Sequence, residues 1–451
     1  MELFGTAGVR GSATERVTPE LALAVGRAAG ERVREAGGDE CVVGRDGRVT
    51  GPGLAAAAAA GLASAGVDVR RVGVVPTPAL AHAARGRHGV MLTASHNPPA
   101  DNGLKLFDDG VEFDREAERD VTERVEAGTA PAAWDEWGEI GTEEHLDDYL
   151  ADVAAYARGH GAPLDGLRVA VDPGNGVGAL ATPQVLRALG ARVVTLNAQV
   201  DGHFPGRESK PTPESLADLR AFVADDDAAF GVGHDGDADR IVVVDADGEV
   251  VHEDTVLAIL AEHYVRSSDA ADPVVVTTPN ASARIDERVS AAGGRVERVR
   301  LGALHEGVAT ARADGDVVFA AEPWKHLHPA FGGWIDGVAS AAVLARLVAD
   351  AGLDALRDPV AERPYRKVSV PCPDERKAAA MERLSTALPE AFPEGEVDTE
   401  HGVRVDRPDG SWVLVRPSGT EPYVRVYAEG EDADALTDRV TALVESAVEA
   451  A

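Results

Sequence analysis

Residues 235–240 read "DGDADR", three carboxylates at alternate positions after the apolar "AAFGVG" and before "IVVVD". Alternate aspartates on a tight turn can converge three hard oxygens on one divalent cation, Mg²⁺ or Ca²⁺, and leave coordination positions free. An EF-hand is excluded, because its loop needs glycine sixth and glutamate twelfth, where this chain has Arg240 and Ala246. The same spacing also suits an aspartyl-phosphate enzyme, with Asp235 attacking phosphorus and Asp237 serving as acid or base. A solvated acidic loop is the plain alternative.

A second stretch, "TASHNPPADNGLK" at 93–105, sets Ser95 beside His96 and ends on Lys105. Neighbouring residues seldom meet in a Ser-His-Asp triad, and the chain has no GxSxG elbow, so a serine hydrolase is not expected. One reading is a turn stiffened by Pro98 and Pro99. The other is a phosphorylated Ser95, whose charge of about −1.5 to −2 demands a nearby cation such as the aspartate loop could hold. In "RPSGTEP", 416–422, Arg416 offers a fork for phosphate oxygens, and Ser418, Gly419 and Thr420 offer hydroxyls and approachable backbone N–H groups. In "AEPWKHLHP", 321–329, Glu322 and His326 stand four apart with Trp324 and Lys325 between them. A carboxylate, an imidazole and a flat ring suit a sugar.

These residues must be positioned by a larger frame. Segments 41–73, 167–197 and 273–302 each read as strand, polar turn, helix, glycine-marked turn and strand, with Gly66, Gly190 or Gly294 near the helix end. Each is the size of a βαβ unit, so three similar α/β domains are expected. The run "LAAAAAAGLASA" in the first is read as a packed helix, since alanine forms helices well but is weakly apolar. The last part differs: "GVRVDRPDGSWVLVRPSGTEPYVRVYAEG" alternates as a β-meander with its hairpin turn at Asp409-Gly410, and a terminal helix follows. Boundaries are expected near residues 150, 255 and 366.

The 451 residues carry a formal charge of −33, and only five of the 44 basic residues are lysines. That balance argues against nucleic acid and against an anionic membrane surface. It suggests a protein kept soluble in the concentrated salt of a halophilic cytoplasm. Cys41 and Cys372 form no CxxC pair, so neither a disulfide framework nor a zinc site is indicated. No basic-then-apolar leader begins the chain, and no apolar run is long enough to span a bilayer.

Taken together and in order, "FGTAGVRG", "TASHNPPADNGLKL", "DGDADR" and "RPSGTEP" resemble the α-D-phosphohexomutase family over nearly the whole chain. The resemblance implies three similar mixed α/β domains and a C-terminal α+β domain like the TATA-box-binding protein, around a central cleft. On the expected boundaries these are a phosphoserine-bearing domain (1–150), a metal-binding domain (151–255), a sugar-recognition domain (256–366) and a phosphate-binding domain (367–451).

It also implies that Ser95 is a phosphoserine that lends and recovers a phosphoryl group, and that the sugar passes through a hexose 1,6-bisphosphate. Mg²⁺ is expected on Asp235, Asp237, Asp239 and a phosphoserine oxygen. Arg10 and Arg240 match arginines flanking the phosphoserine, Lys105 matches the lysine beside it, and His96 orients the turn. Gly302, Glu322, Trp324, Lys325 and His326 fall to sugar recognition, His326 also to catalysis. Arg416, Ser418, Gly419 and Thr420 fall to the non-reacting phosphate. The family's sugar loop usually reads Gly-Glu-x-Ser-Gly-His, so Trp324 and Lys325 are departures that bear on substrate, while the opening resembles the glucosamine-phosphate branch. The expectation is a phosphosugar mutase, monomeric or homodimeric, acting on glucosamine, glucose or mannose phosphate. Its rivals are a phosphatase using Asp235 and a non-catalytic phosphosugar-binding paralogue.

Overall fold

The computed structural model describes residues 3–5, 8–418 and 421–451. It resolves into two compact units: residues 1–256 with 318–357, and residues 257–317 with 358–451. In the first unit, β1 (Val9–Ser12), β2 (Glu40–Arg45), β3 (Asp68–Val74), β4 (His88–Leu92), β5 (Asp101–Asp108), β6 (Val111–Glu112) and β7 (Ile140–Thr142) form one mixed sheet. Its order is β1-β5-β4-β2-β3-β7, with β6 on β5. Helix α1 (Pro19–Glu35) starts at Thr18, whose side chain accepts from the Leu21 N–H while Pro19 presets the first turn.

The alanine-rich run forms α2 (Gly51–Ser64) and packs on α1 at unusually close range. A Cβ on Gly26 would lie 2.3 Å from the Ala58 carbonyl oxygen, and one on Gly61 would lie 2.2 Å from that of Leu23. Small residues let the two backbones touch, which is why this helix can be buried while only weakly apolar. Among the described residues no helix is long and apolar enough to cross a membrane.

The repeated design is present three times. Strands β2 and β3 pair in parallel across α2. In the second repeat β8 (Arg168–Asp172) and β9 (Arg192–Thr195) pair in parallel, followed by β10 (Phe230–Gly233) and β11 (Val242–Val244). In the third, β12 (Pro273–Thr277) and β13 (Arg295–Arg298) pair in parallel across the helix Ala283–Ala291, followed by β14 (Asp316–Glu322) and β15 (Lys325–Leu327). Gly66 and Gly190 take left-handed φ values of 87° and 107°. In the third repeat that role falls to Gly293, φ 93°, rather than to Gly294.

Each repeat then closes with an antiparallel hairpin, β4/β5, β10/β11 or β14/β15. The three hairpin tips carry "TASHNPPA", "DGDADR" and "EPWK". A rigid sheet edge therefore presents each chemical motif.

In the second unit, β16 (Tyr365–Pro371), β17 (Glu396–Asp398), β18 (Val403–Asp406), β19 (Trp412–Pro417) and β20 (Tyr423–Glu429) form an antiparallel sheet in the order β16-β20-β19-β18-β17. The inward residues Val403, Val413, Val415, Val424 and Val426 share a core with Leu384, Leu388, Val440 and Val444 of the helices Asp374–Ala391 and Ala433–Glu449. The residues alternating with these valines, Trp412, Leu414 and Tyr427, form a second buried cluster with Tyr365 and Ala283, so the central strands are covered on both faces.

Candidate active site

Ser95 sits on the β4/β5 tip with a left-handed φ of 51°, a region that non-glycine residues seldom enter. Its N–H donates to the Thr93 hydroxyl at 2.9 Å. Its hydroxyl is fully buried and donates to Asp235 Oδ2 at 2.6 Å, with His96 Nδ1 3.3 Å away. The glycine of "DGD" is required by this approach, since a Cβ on Gly236 would lie 2.6 Å from the Ser95 carbonyl oxygen. The serine turn and the aspartate turn are thus built against each other.

Asp235, Asp237 and Asp239 are all buried, and one oxygen of each lies within 4.8 Å of the others. Ala238, with φ 59°, bends the loop inward. Thr77 holds it from below, its N–H donating to the Asp237 carbonyl at 3.0 Å and its hydroxyl to Asp237 Oδ2 at 2.7 Å. The Lys105 ammonium, on β5, lies 2.9 Å from Asp239, 3.2 Å from Glu112 and 3.7 Å from Asp237.

The charges are unequal. Burial, Asp239 and Asp237 push the Asp235 carboxyl well above the ordinary range. Burial acts the same way on Asp239, but Lys105, Lys325 and Arg240 outweigh it and hold that carboxyl well below. Burial likewise works against the Lys105 charge, yet Asp239, Glu112 and Asp237 keep it protonated above its usual value.

Oxygens Asp237 Oδ1 and Asp239 Oδ1 are buried with no hydrogen-bond partner. Unpaired carboxylate oxygens converging in a dry loop are costly alone and complementary to a hard divalent cation, so the residues present fit one.

Two arginines act on the same turns, both close enough to His96 to oppose its protonation. Arg10, on β1, pairs in register with Gly103, where a Cβ would meet the Val9 carbonyl oxygen at 2.4 Å. Arg10 Nε and Nη2 and Arg240 Nε are buried donors without a hydrogen-bond acceptor. Arg240 Nε remains 3.6 Å from Asp235 and 3.8 Å from Asp239. Burial first, then Arg240 and Arg10, depress His96 to about 2, so its imidazole is neutral. Unused guanidinium donors of this kind suit the oxygens of an anion.

The third tip is joined to the second through its backbone: Arg240 bridges Lys325, and the Ile241 N–H donates to the Trp324 carbonyl at 3.1 Å. Trp324, φ 71°, makes the turn and packs against the cluster of Leu219, Val223, Val242 and Val244. Its side chain is half-buried against that cluster. Glu322 pairs with Lys325 and Ala321 with His326, which places Glu322 and Lys325 on one face of the hairpin and His326 on the other.

The structure therefore does not bring His326 beside Glu322. It is buried, 3.1 Å from the Ser340 hydroxyl and tilted on Phe319, and burial depresses it to about 3.

In the second unit, Gly302 takes φ 78°. Arg416 donates to the Tyr427 hydroxyl at 3.0 Å, and its buried Nε has no acceptor. Ser418 is buried, its N–H donating to the Tyr423 carbonyl at 2.9 Å. Lys377 donates to the carbonyls of Ser418 and Glu421, both at 2.6 Å. Gly419 and Thr420 lie outside the described residues.

Sequence reasoning missed Thr77, Glu112 and Lys377. Thr77 and Lys377 act on motifs far along the chain, Glu112 acts on nearby Lys105, and none has a signature of its own.

A buried hydroxyl bonded to cation-fitting carboxylates, with arginine donors beside the same loop, defines a class of protein that handles phosphoryl groups. The phosphoglucomutase/phosphomannomutase family matches through its α/β/α domain I over residues 1–132, domain II over 147–248, domain III over 252–364 and C-terminal domain over 368–446. The chain is 43% identical, over 95% of its length and 94% of the relative's, to a phosphopentomutase of Thermococcus kodakarensis. It is 42% identical, over 99% of its length and 98% of the relative's, to a probable phosphoglucosamine mutase of Methanopyrus kandleri. A crystal structure of a phosphoglucomutase/phosphomannomutase family protein from Burkholderia thailandensis shares the fold with a TM-score of 0.85 and 29% identity, covering 100% of this chain and 97% of that one. The chain belongs to the phosphoglucomutase/phosphomannomutase family and is a phosphomutase, an enzyme of the isomerase class.

Proposed function

We propose that this enzyme interconverts the 1-phosphate and 6-phosphate of an aldohexose, carrying the phosphoryl group on Ser95 and passing the sugar through its 1,6-bisphosphate. The setting of the Ser95 oxygen carries the reading: it is buried and 2.6 Å from Asp235, a carboxylate that also has the Arg240 guanidinium at 3.6 Å. In the phosphorylated enzyme the free hydroxyl of the bound sugar phosphate attacks phosphorus. A new O–P bond forms as the Ser95 Oγ–P bond breaks, and the proton lost by the hydroxyl is regained by the serine oxygen. The bisphosphate then turns about, and the reverse transfer from its other end restores the phosphoserine.

Arg10 and Arg240 would bind the oxygens of the moving group, and protonated Lys105 would neutralise charge beside it. Neutral His96 would orient the serine turn. When bound on Asp235, Asp237 and Asp239, Mg²⁺ would supply Lewis-acid neutralisation of phosphoryl oxygens. Glu322 and Lys325, on a shared face, are the side chains of the third tip assigned to the sugar. Trp324 and His326 support that tip from within. Arg416 and Ser418 are assigned to phosphate recognition by their own chemistry. A pentose 1-phosphate and 5-phosphate pair is the second reading, favoured by the phosphopentomutase relative.

The test is a panel of hexose, hexosamine and pentose 1-phosphates with Mg²⁺ in molar KCl, using the wild type and Ser95→Ala. The wild type should turn over a hexose or hexosamine phosphate and carry acid-stable phosphate on Ser95, and Ser95→Ala should lose at least about 10³-fold in kcat. Undiminished turnover by Ser95→Ala, or acyl phosphate on Asp235, would overturn the phosphoserine. A pentose preference would replace the hexose and leave the carrier in place.

A further inference from the structure

We infer that Arg48 is the positioning residue of the Ser95 turn, an inference that rests on the phosphoserine reading and deepens it. Arg48 follows β2 and is completely buried. Its Nε donates to Asp46 Oδ2 at 3.0 Å. One terminal nitrogen, Nη1, donates to the carbonyls of Pro98 at 2.5 Å and Asp101 at 2.9 Å. The other, Nη2, donates to those of Ser95 at 2.9 Å and Asn97 at 2.7 Å. A guanidinium has five N–H donors in a fixed plane, and here each has an acceptor, four of them backbone oxygens of one hairpin tip. The Phe204 ring lies 5.1 Å from its central carbon and completes the enclosure.

A second path reaches the same serine. Asp46 Oδ2, besides pairing with Arg48, accepts the Thr93 hydroxyl at 2.8 Å, and that hydroxyl accepts the Ser95 N–H at 2.9 Å. Ser95 is thus held at its carbonyl by Arg48 and at its N–H through Thr93, on either side of the left-handed φ that aims its hydroxyl at Asp235. No single helix or strand imposes that conformation; the planar fork of Arg48 does. A salt bridge serving only as fold glue would need neither four carbonyls from one turn nor a relay to the reacting residue's own amide. Phosphoryl transfer depends on in-line placement, and a misplacement of about 1 Å can cost on the order of 10²-fold in rate.

The experiment uses the full chain with Mg²⁺ and the sugar 1-phosphate turned over fastest in the panel above, comparing Arg48→Lys, Thr93→Val and Thr93→Ser with the wild type and Ser95→Ala. Lysine keeps the charge but cannot reach four carbonyls, so kcat should fall about 10²-fold with KM within about threefold. Thr93→Val should lose about tenfold in kcat, and Thr93→Ser, which restores the hydroxyl, should return to within about twofold of the wild type. Phosphate uptake on Ser95 from glucose 1,6-bisphosphate, read by intact mass, should slow in the same order.

A folded Arg48→Lys or Thr93→Val with wild-type kcat, or a loss confined to KM, overturns the inference. Should Arg48→Lys fail to fold, the Thr93 pair decides by the same criterion. Activity in Ser95→Ala would instead overturn the phosphoserine reading, whatever the other variants do.

Discussion

Burial, Asp239 and Asp237 all oppose a charge on Asp235. Lys105 lies beside Asp239 and, more distantly, Asp237, while Asp235 has Arg240 at 3.6 Å and the Ser95 hydroxyl at 2.6 Å. Three like charges packed in a buried turn repel one another, and a divalent cation reverses the sign of that interaction. Asp235→Asn cannot ionise yet keeps an oxygen to accept from Ser95. Without divalent cations the variant should be more stable than the wild type by about 1 kcal/mol. Adding Mg²⁺ should raise the melting temperature of the wild type far more than that of the variant, because a ligand is gone. Equal Mg²⁺-induced shifts in the two proteins would rule out Asp235 as a ligand.

At the scale of elements, the α1/α2 contact shows how far packing can override propensity. In an open helix Gly61→Ala would gain about 1 kcal/mol. Here its methyl group would meet two backbone atoms, Leu23 O at 2.2 Å and Arg27 N at 2.8 Å, neither of which can swing aside. The helices must separate, so Gly61→Ala should destabilise the protein by about 2 kcal/mol, read as a lower urea midpoint with an unchanged m-value. A midpoint at or above that of the wild type would show that the helices yield freely. The βαβ repeats were legible because a β-branched run, a polar turn and a glycine at the helix end are local signals.

The hairpin that closes each repeat was less legible, since β4/β5 and β10/β11 depend on pairing rather than on local propensity. The spacing of Glu322 and His326 by four residues did not show on which face of an element each would lie. On a hairpin the two lie on different strands and opposite faces. The aspartate motif was readable as a cation site with Lys105 near it, but not that Thr77, 160 residues away from its partner, would buttress it.

Across the whole molecule, the formal charge of −33 leaves little net positive field to guide an anionic substrate. Capture therefore falls to the few unpaired cationic donors at the site. Acid brings a separate liability, seated in buried imidazoles away from the chemistry. His82 is buried between His145 at 2.8 Å and Asp152 at 2.9 Å, with Arg85 also in contact. Burial depresses it from 6.5 to about 4; the Asp152 hydrogen bond works against that shift, and Arg85 and His145 add to it.

The sign follows from the order of protonation. Between about pH 6.5 and 4 an unfolded chain takes up a proton at this histidine that the folded chain refuses, so stability is complete above pH 6.5 and is lost as pH falls toward 4. The limiting slope is about 1.4 kcal/mol per pH unit for one such group. His82→Gln, which cannot titrate, should flatten the urea-derived stability profile between pH 6.5 and 4 by a total of about 2–3 kcal/mol while leaving the region above pH 7 parallel to the wild type. Superimposable slopes below pH 6.5 would mean that His82 gains its proton without unfolding, and that the cluster around it tolerates a charged imidazole.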